Sequence, residues 1–277
     1  MTASARPRGH TSRFGATATF APLAFVFVAF VTLPLAALGW RAVESGELAE
    51  NVTSDLVLNA MWLSAVTSTI ALVLAIVFGT PVAYLLARRD FPGKAFVDLV
   101  IDLPIVLPPT VAGVALLVAF GRRGVLGGRL DDIGIELAFT TTAVVLAQLF
   151  VSAPYYIRTA KAGFEGVDPQ FEGVAATLGA GPMRTFFRVV LPLSWPSVLA
   201  GAILCWARAL SELGATLVFA GNFPERTQTM PLAIIGVFDS GASVNVAIAL
   251  AVILVVAAAL LLLLLRVVAR SAARAGV

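Results

Sequence analysis

Long apolar runs separated by polar segments set the pattern of this chain. A helix needs about 20 apolar residues to cross the ~30 Å hydrocarbon core of a bilayer. Runs of about that length lie at residues 20–40, 56–87, 103–120, 137–157, 191–220 and 242–265. No segment shows the two-residue alternation of a half-buried strand. The pattern therefore predicts an all-α integral membrane protein of about six transmembrane helices.

The third run is interrupted by prolines. Pro108 and Pro109 lack the N–H groups that a helix needs and are expected to break it at membrane depth. Exposed carbonyls at that depth are tolerated only against protein or a water-filled cavity. The break, with Thr110 as a polar wall residue, is therefore predicted to line a passage. A kink that serves only packing is the alternative.

Composition agrees with lipid as the solvent for most of the chain. Hydrophobic residues make up 59% and charged residues 13%, against roughly 45–50% and about 25% in soluble domains. His10 is the only histidine and Cys205 the only cysteine. These counts exclude histidine-based metal sites, Ser–His–Asp triads and an intrachain disulfide. We expect neither catalytic residues nor a metal site.

The Lys and Arg residues indicate the orientation of the spans. With the N-terminus inside, 13 of the 19 basic residues fall on inside segments and 5 on outside segments. Both termini are therefore expected in the cytoplasm, with residues 1–13 as a basic tail and residues 14–277 as the transmembrane domain. Residues 121–130 fit least well, because they carry three arginines on the outer side. The first run is longer than the usual apolar core of a signal peptide, so we expect it to be retained.

The longest inner loop, at about residues 158–190, has the pattern of a short amphipathic helix. Asp168 and Pro169 form a typical helix start. The helix has an apolar face at helical spacing, made of Phe171, Val174, Ala175 and Leu178. Gly179 is expected to end it. Such a helix suits docking into a cleft of another protein, but an interfacial helix on lipid has the same pattern.

This loop resembles the cytoplasmic coupling loop of binding-protein-dependent ABC importers. Permeases of that family share Glu-Ala-Ala, three residues, Gly, and a downstream Leu-Pro. Gly179 matches the glycine and residues 191–192 the Leu-Pro pair. Gly173 and Val174 depart from the acid and the first alanine, and Glu172, one residue early, is expected to supply the acidic contact. The resemblance assigns these residues to the ATPase-coupling loop: Glu172, Gly173, Val174, Ala175, Ala176, Leu178 and Gly179.

Two further stretches resemble one branch of that family, the permeases for molybdate, tungstate and sulfate. They are residues 102–113, around the proline break, and residues 207–222 in the fifth run. Ser211 stands where that branch usually has glycine. The second stretch is more similar to the molybdate and tungstate members than to the sulfate members.

Two charges in the fifth run lie one helical turn apart. Arg208 and Glu212 share a face of the predicted helix, and a charge at mid-membrane costs roughly 2.5–3.5 kcal/mol on insertion scales. One interpretation is a structural ion pair; the other is that Arg208 offers positive potential to a passing dianion. The predicted translocation pathway comprises Pro108, Pro109, Thr110, Arg208, Ser211 and Glu212. Asp98 and Asp102 are expected to be solvated or to pair with Arg88 or Arg89.

The resemblance implies a permease subunit of an ATP-driven importer of molybdate or tungstate in the cell membrane. A sulfate or thiosulfate importer of the sister branch is the alternative, and a secondary transporter a more distant one. The glycine-rich residues 121–128 lack the Lys-Ser/Thr of a phosphate-binding loop, so no cofactor is expected on this chain. The implied partners are a second permease chain in a homodimer, two ATPase subunits that use ATP and Mg, an extracytoplasmic oxyanion-binding protein and the lipid bilayer, without nucleic acid.

Overall fold

A computed structural model describes residues 13–48, 52–241 and 243–275 of the chain. The predicted tail at residues 1–13 lies outside this part, apart from Arg13. Within it every regular element is a helix, which confirms the all-α class. The helices are α1 (Arg13–Ser45), α2 (Asp55–Arg88), α3 (Lys94–Val106), α4 (Pro109–Phe120), α5 (Gly127–Asp131), α6 (Thr141–Glu165), α7 (Pro169–Thr177), α8 (Pro182–Thr185), a π-helical turn (Phe186–Val190), α9 (Leu191–Leu210), α10 (Gly214–Ala220), α11 (Met230–Asp239) and α12 (Val244–Ala275).

Helix lengths are compatible with several membrane crossings. Among the described residues, three helices are long and apolar enough to cross a membrane: Phe20–Ser45, Asp55–Arg88 and the continuous Pro182–Leu210. Helices α3 and α4 meet at a bend of 118° and give a fourth span if the pair counts as one. With 25 and 32 residues, α6 and α12 also exceed the length that a crossing needs. Each of the six predicted apolar runs overlaps at least one helix, and the third and fifth runs are each divided between two helices.

The fourth predicted run, residues 137–157, is shifted along the chain. Helix α6 begins after Thr140, whose hydroxyl accepts a hydrogen bond from the Ala143 amide at 3.2 Å. It then continues to Glu165, eight residues into the predicted loop. The predicted run ends before Arg158 because Arg158 and Lys161 are charged. In the structure both residues lie within α6 and pair with acidic residues of α3.

The fifth predicted run, residues 191–220, is not one helix. Helix begins earlier, at Pro182, and α9 ends at Leu210. Residues 211–213 leave the helix before α10 starts at Gly214. The prediction of a continuous span missed this break because residues 211–213 include no proline.

Helix α6 lies at the centre of the fold, with α2 and α9 packed along it. Small residues allow close approach of the backbones. A Cβ atom at Gly79 of α2 would lie 2.9 Å from Ile157 of α6, and one at Gly201 of α9 would lie 3.2 Å from the Tyr156 carbonyl oxygen. Three buried clusters surround this centre: Leu116, Val144 and Phe219 with their neighbours; Ala75, Tyr156 and Cys205 with theirs; and Val57, Met230 and Leu250 with theirs.

Helix α1 stands apart from this centre and packs on α12. Of its described side chains, from Phe20 to Ser45, only Ala42 is buried. An apolar helix exposed in this way requires lipid or another chain as its surroundings.

Candidate functional site

The predicted amphipathic helix of the inner loop is α7, and local interactions fix both of its ends. The Asp168 carboxylate accepts a hydrogen bond from the Gln170 amide at 2.8 Å, and Pro169 occupies the first turn. At the other end Gly179 has a φ of +81°. The Gly179 amide donates to the Ala176 carbonyl and the Ala180 amide to the Ala175 carbonyl, both at 3.0 Å, which is the Schellman arrangement.

The outer face of α7 is apolar and uncovered. No residue of α7 is buried, and Leu178, which follows it, is 83% exposed. Exposed apolar side chains continue from α7 into the π-helical turn, and together they form what we call the docking surface: Phe171, Val174, Leu178, Met183 and Phe187. Gly173 and Ala176 are also exposed, whereas Ala175 is half-buried. A contiguous exposed apolar surface of this kind marks a site of contact with protein or lipid.

Glu172 points away from the docking surface and into the chain. Its carboxylate contacts Arg88 Nε at 2.7 Å and accepts a hydrogen bond from the Tyr84 hydroxyl at 2.8 Å. Arg88 Nη2 also donates to the Val167 carbonyl at 2.8 Å. We call these three side chains, Tyr84, Arg88 and Glu172, the inner tie. A Cβ at Gly173, the motif's acid position, would meet no atom within 4 Å.

The break between α3 and α4 lies at Leu107 and Pro108. Both have extended ψ angles, 134° and 135°. Because Pro108 and Pro109 lack N–H groups, the carbonyls of Pro104 and Ile105 receive no helical hydrogen bond from them. Pro108, Pro109 and Thr110 are exposed.

The break between α9 and α10 is held by Glu212, which is only 1% exposed. One carboxylate oxygen lies 2.7 Å from Arg208 Nη2, and the other accepts a hydrogen bond from the Ala215 amide at 2.8 Å. The Glu212 side chain thus joins the end of α9 to the first turn of α10. Arg208 keeps a quarter of its side chain exposed, and Ser211 is exposed beside it.

The two breaks meet in space. A Cβ atom at Gly214, the first residue of α10, would lie 2.8 Å from Pro109 Cβ and 3.2 Å from the Thr110 amide nitrogen. A Cβ atom at Gly113 of α4 would lie 2.8 Å from the Ala215 carbonyl oxygen. The structure therefore brings the two halves of the predicted pathway together through glycines that the sequence analysis did not single out.

Helix α3 is joined to α6 by two ion pairs. Asp102 pairs with Arg158, and Asp98 with Lys161 at 2.8 Å. These four residues line a cleft of about 300 Å³. The predicted pairing of the two aspartates with Arg88 or Arg89 is wrong, because α6 extends beyond its predicted end and presents its own basic residues to α3.

The arginine-rich loop after α4 is partly neutralised within itself. Arg122 contacts Glu136 at 2.6 Å and Asp131 at 3.3 Å. The pairing leaves unchanged the count of three arginines that makes residues 121–130 the poorest fit to the predicted orientation.

Comparison with known proteins places the chain among transport proteins. The family model described as binding-protein-dependent transport system inner membrane component matches residues 75–274. The chain is 44% identical over 202 residues to the molybdenum transport system permease protein ModB of Escherichia coli strain K12, covering 70% of this chain and 88% of that protein. It is 36% identical over 232 residues to the molybdate/tungstate transport system permease protein WtpB of Thermococcus kodakarensis, covering 83% and 88%.

Among solved structures, the fold is similar to a chain of the bacterial alginate ABC transporter, determined in complex with an alginate pentasaccharide-bound periplasmic protein. The TM-score is 0.74, with 16% sequence identity and coverage of 93% of this chain and 94% of that chain. At that identity the likeness concerns the fold alone.

Proposed function

The chain belongs to the family of binding-protein-dependent transport system inner membrane components, and we propose that it is the membrane-spanning permease subunit of an ATP-driven importer of molybdate or tungstate. The observation that carries the substrate assignment is the similarity to the ModB and WtpB permeases along most of their length. The family places the chain in the membrane as a multi-pass protein and not among enzymes.

The docking surface on α7 is the proposed contact with a separate ATPase. Its apolar side chains point away from the chain, and caps at both ends hold the short helix in one conformation. The chain has no phosphate-binding loop of its own, so two ATPase subunits would bind and hydrolyse ATP with Mg. Closure of those subunits would move α7 and, through it, the inner ends of the spans.

The joined breaks of α3–α4 and α9–α10 are the proposed wall of the passage. Pro108, Pro109, Thr110 and Ser211 are exposed in the single chain, which leaves this wall open on one side. A second identical chain related by a two-fold axis, the commonest symmetry of soluble homo-oligomers, would close it. Arg208 is paired with Glu212 beside the break, and the exposed quarter of its side chain would face a passing dianion.

Selection among oxyanions is assigned to an extracytoplasmic binding protein. Molybdate, tungstate and sulfate are all doubly charged tetrahedral anions. The fixed charges and dipoles of a passage therefore discriminate poorly among them. In the proposed orientation both termini and α7 lie in the cytoplasm, and the loops around Arg122 and Arg226 lie outside.

The test is uptake of labelled molybdate, tungstate and sulfate at nanomolar concentration in cells with and without the gene. The expected result is loss of molybdate and tungstate uptake only, restored by the wild-type gene. Loss of sulfate uptake alone would assign the chain to the sister branch. Unchanged uptake of all three, in cells without a redundant importer, would contradict the proposal.

A further inference from the structure

Arg88 holds the inner loop at two points. It is the last residue of α2, and its side chain is only 12% exposed. One nitrogen of its guanidinium contacts the Glu172 carboxylate in the first turn of α7, and another donates to the Val167 carbonyl just before α7 begins. The rigid fork of an arginine makes two such contacts at once, which a lysine cannot reproduce.

Aromatic packing fixes Tyr84, the second residue by which α2 contacts Glu172 of α7. Tyr84 lies one turn before Arg88 and donates its hydroxyl to the other Glu172 oxygen. Its ring makes edge-to-face contacts with Phe164 of α6 and Phe186 of the π-helical turn, with centroids 5.7 and 4.9 Å apart. The Tyr84 ring of the inner tie is therefore held between Phe164 and Phe186.

Close contacts between helices lead from the inner tie, through α2 and α6, to the broken α3–α4 span. Along α2, Thr80 is hydrogen-bonded to the Tyr156 hydroxyl of α6, and Gly79 lets the two helices touch. Farther along α6, Arg158 pairs with Asp102 of α3. Helix α3 ends four residues later, at Val106, just before the proline break.

We infer that the inner tie is the mechanical link by which a movement of α7 reaches α2, and that Glu172 is a positioning residue of this link and not a contact with the ATPase. The inference rests on the proposed function, because it assumes that an ATPase moves α7. The ion pair between Arg88 and Glu172, both in the same chain, transmits the movement of α7 to α2.

The first test needs no substrate and follows backbone hydrogen exchange in the assembled complex with its ATPase. Glu172→Gln and Arg88→Gln are expected to raise exchange of α7 and of the inner end of α2 together. The double variant Arg88→Glu/Glu172→Arg is expected to restore protection only in part, because a glutamate at position 88 cannot donate to the Val167 carbonyl. Exchange that rises in α7 alone would overturn the inference.

The second test measures molybdate taken up per ATP hydrolysed by the complex in proteoliposomes with its binding protein. We expect Glu172→Gln to lower this ratio by about tenfold, the usual scale for losing a charged hydrogen-bonded partner, while the ATPase still copurifies. Tyr84→Phe, which removes one hydroxyl and keeps the packed ring, should lower it less. The charge-swapped double variant should regain part of the ratio that Glu172→Gln loses.

Arg89→Gln is the matched control, because Arg89 is adjacent to Arg88 but exposed; it should keep the wild-type ratio. An unchanged ratio in Glu172→Gln would overturn the inference. A wild-type complex that takes up no oxyanion would instead contradict the proposed function, and hydrogen exchange would still decide whether the inner tie links α7 to α2.

Discussion

Gly179 ends α7 in a backbone conformation that other residues adopt only at a cost. With φ at +81°, a substitution to Ala is expected to strain the turn by roughly 1–2 kcal/mol. The Schellman hydrogen bonds from Gly179 and Ala180 would weaken, and α7 would lose its fixed direction. Gly179→Ala should therefore reduce copurification of the ATPase and ATP-driven uptake.

Gly173→Ala is the matched control for that change. Gly173 lies within α7, is exposed, and has open space where a Cβ atom would stand. Alanine in a helix interior is favoured over glycine by roughly 0.5–1 kcal/mol. Equal loss of ATPase binding in both variants would show that the cap at Gly179 has no special role.

The buried carboxylate of Glu212 is expected to be important for stability. Removing one member of a buried ion pair typically costs about 3–5 kcal/mol, and Glu212→Ala also removes a hydrogen bond to the Ala215 amide. The variant should unfold at a clearly lower temperature in detergent. Arg208→Gln in the same chain should recover part of that loss, because the unpaired charge is removed with it.

Wild-type thermal stability in Glu212→Ala would contradict the structural role of this pair. The sequence suggested the Arg208–Glu212 pair because the spacing is local. It gave no sign of the Ala215 contact, because a continuous helix over residues 191–220 would direct the Ala215 amide to the Ser211 carbonyl instead.

At the scale of helices, the contact between the two breaks depends on Gly214. A Cβ there would approach Pro109 Cβ to 2.8 Å, so Gly214→Ala must push α10 away from α4. Overpacking of this kind costs about 1–3 kcal/mol, and we expect uptake to fall more than ATP hydrolysis does. Gly128→Ala, whose Cβ atom would lie 3.7 Å from its nearest neighbour, is the control. Normal uptake by Gly214→Ala would mean that the close contact is not needed for transport.

The sequence predicted helix ends correctly where neighbouring residues determine them. It predicted them wrongly where the residues have partners distant in sequence. The start of α7 at Asp168 and Pro169, its end at Gly179 and the proline break before α4 all follow from local chemistry. The extension of α6 to Glu165 does not, because Arg158 and Lys161 interrupt the apolar pattern and their partners, Asp102 and Asp98, are distant in sequence. The inner tie was missed for the same reason, although the one-turn spacing of Tyr84 and Arg88 was a usable signal.

For the whole molecule, the orientation in the membrane can be tested with single cysteines. Cys205 is buried and can be replaced by alanine to give a cysteine-free chain. Asp90, before α3, has a side chain that is 99% exposed, and Ile133, after α5, is 68% exposed. A membrane-impermeant thiol reagent should label Ile133→Cys in intact cells and Asp90→Cys only after permeabilisation. The reverse pattern would invert the proposed topology.

The most direct measurement of the central claim is transport by the purified complex in proteoliposomes. Wild-type chain, ATPase and binding protein together should take up molybdate only when all three and ATP are present. Leu178→Glu, which places a charge on the docking surface, should abolish uptake and release the ATPase. Uptake by this chain without ATPase or ATP, or undiminished uptake by Leu178→Glu, would contradict ATP-driven import through α7.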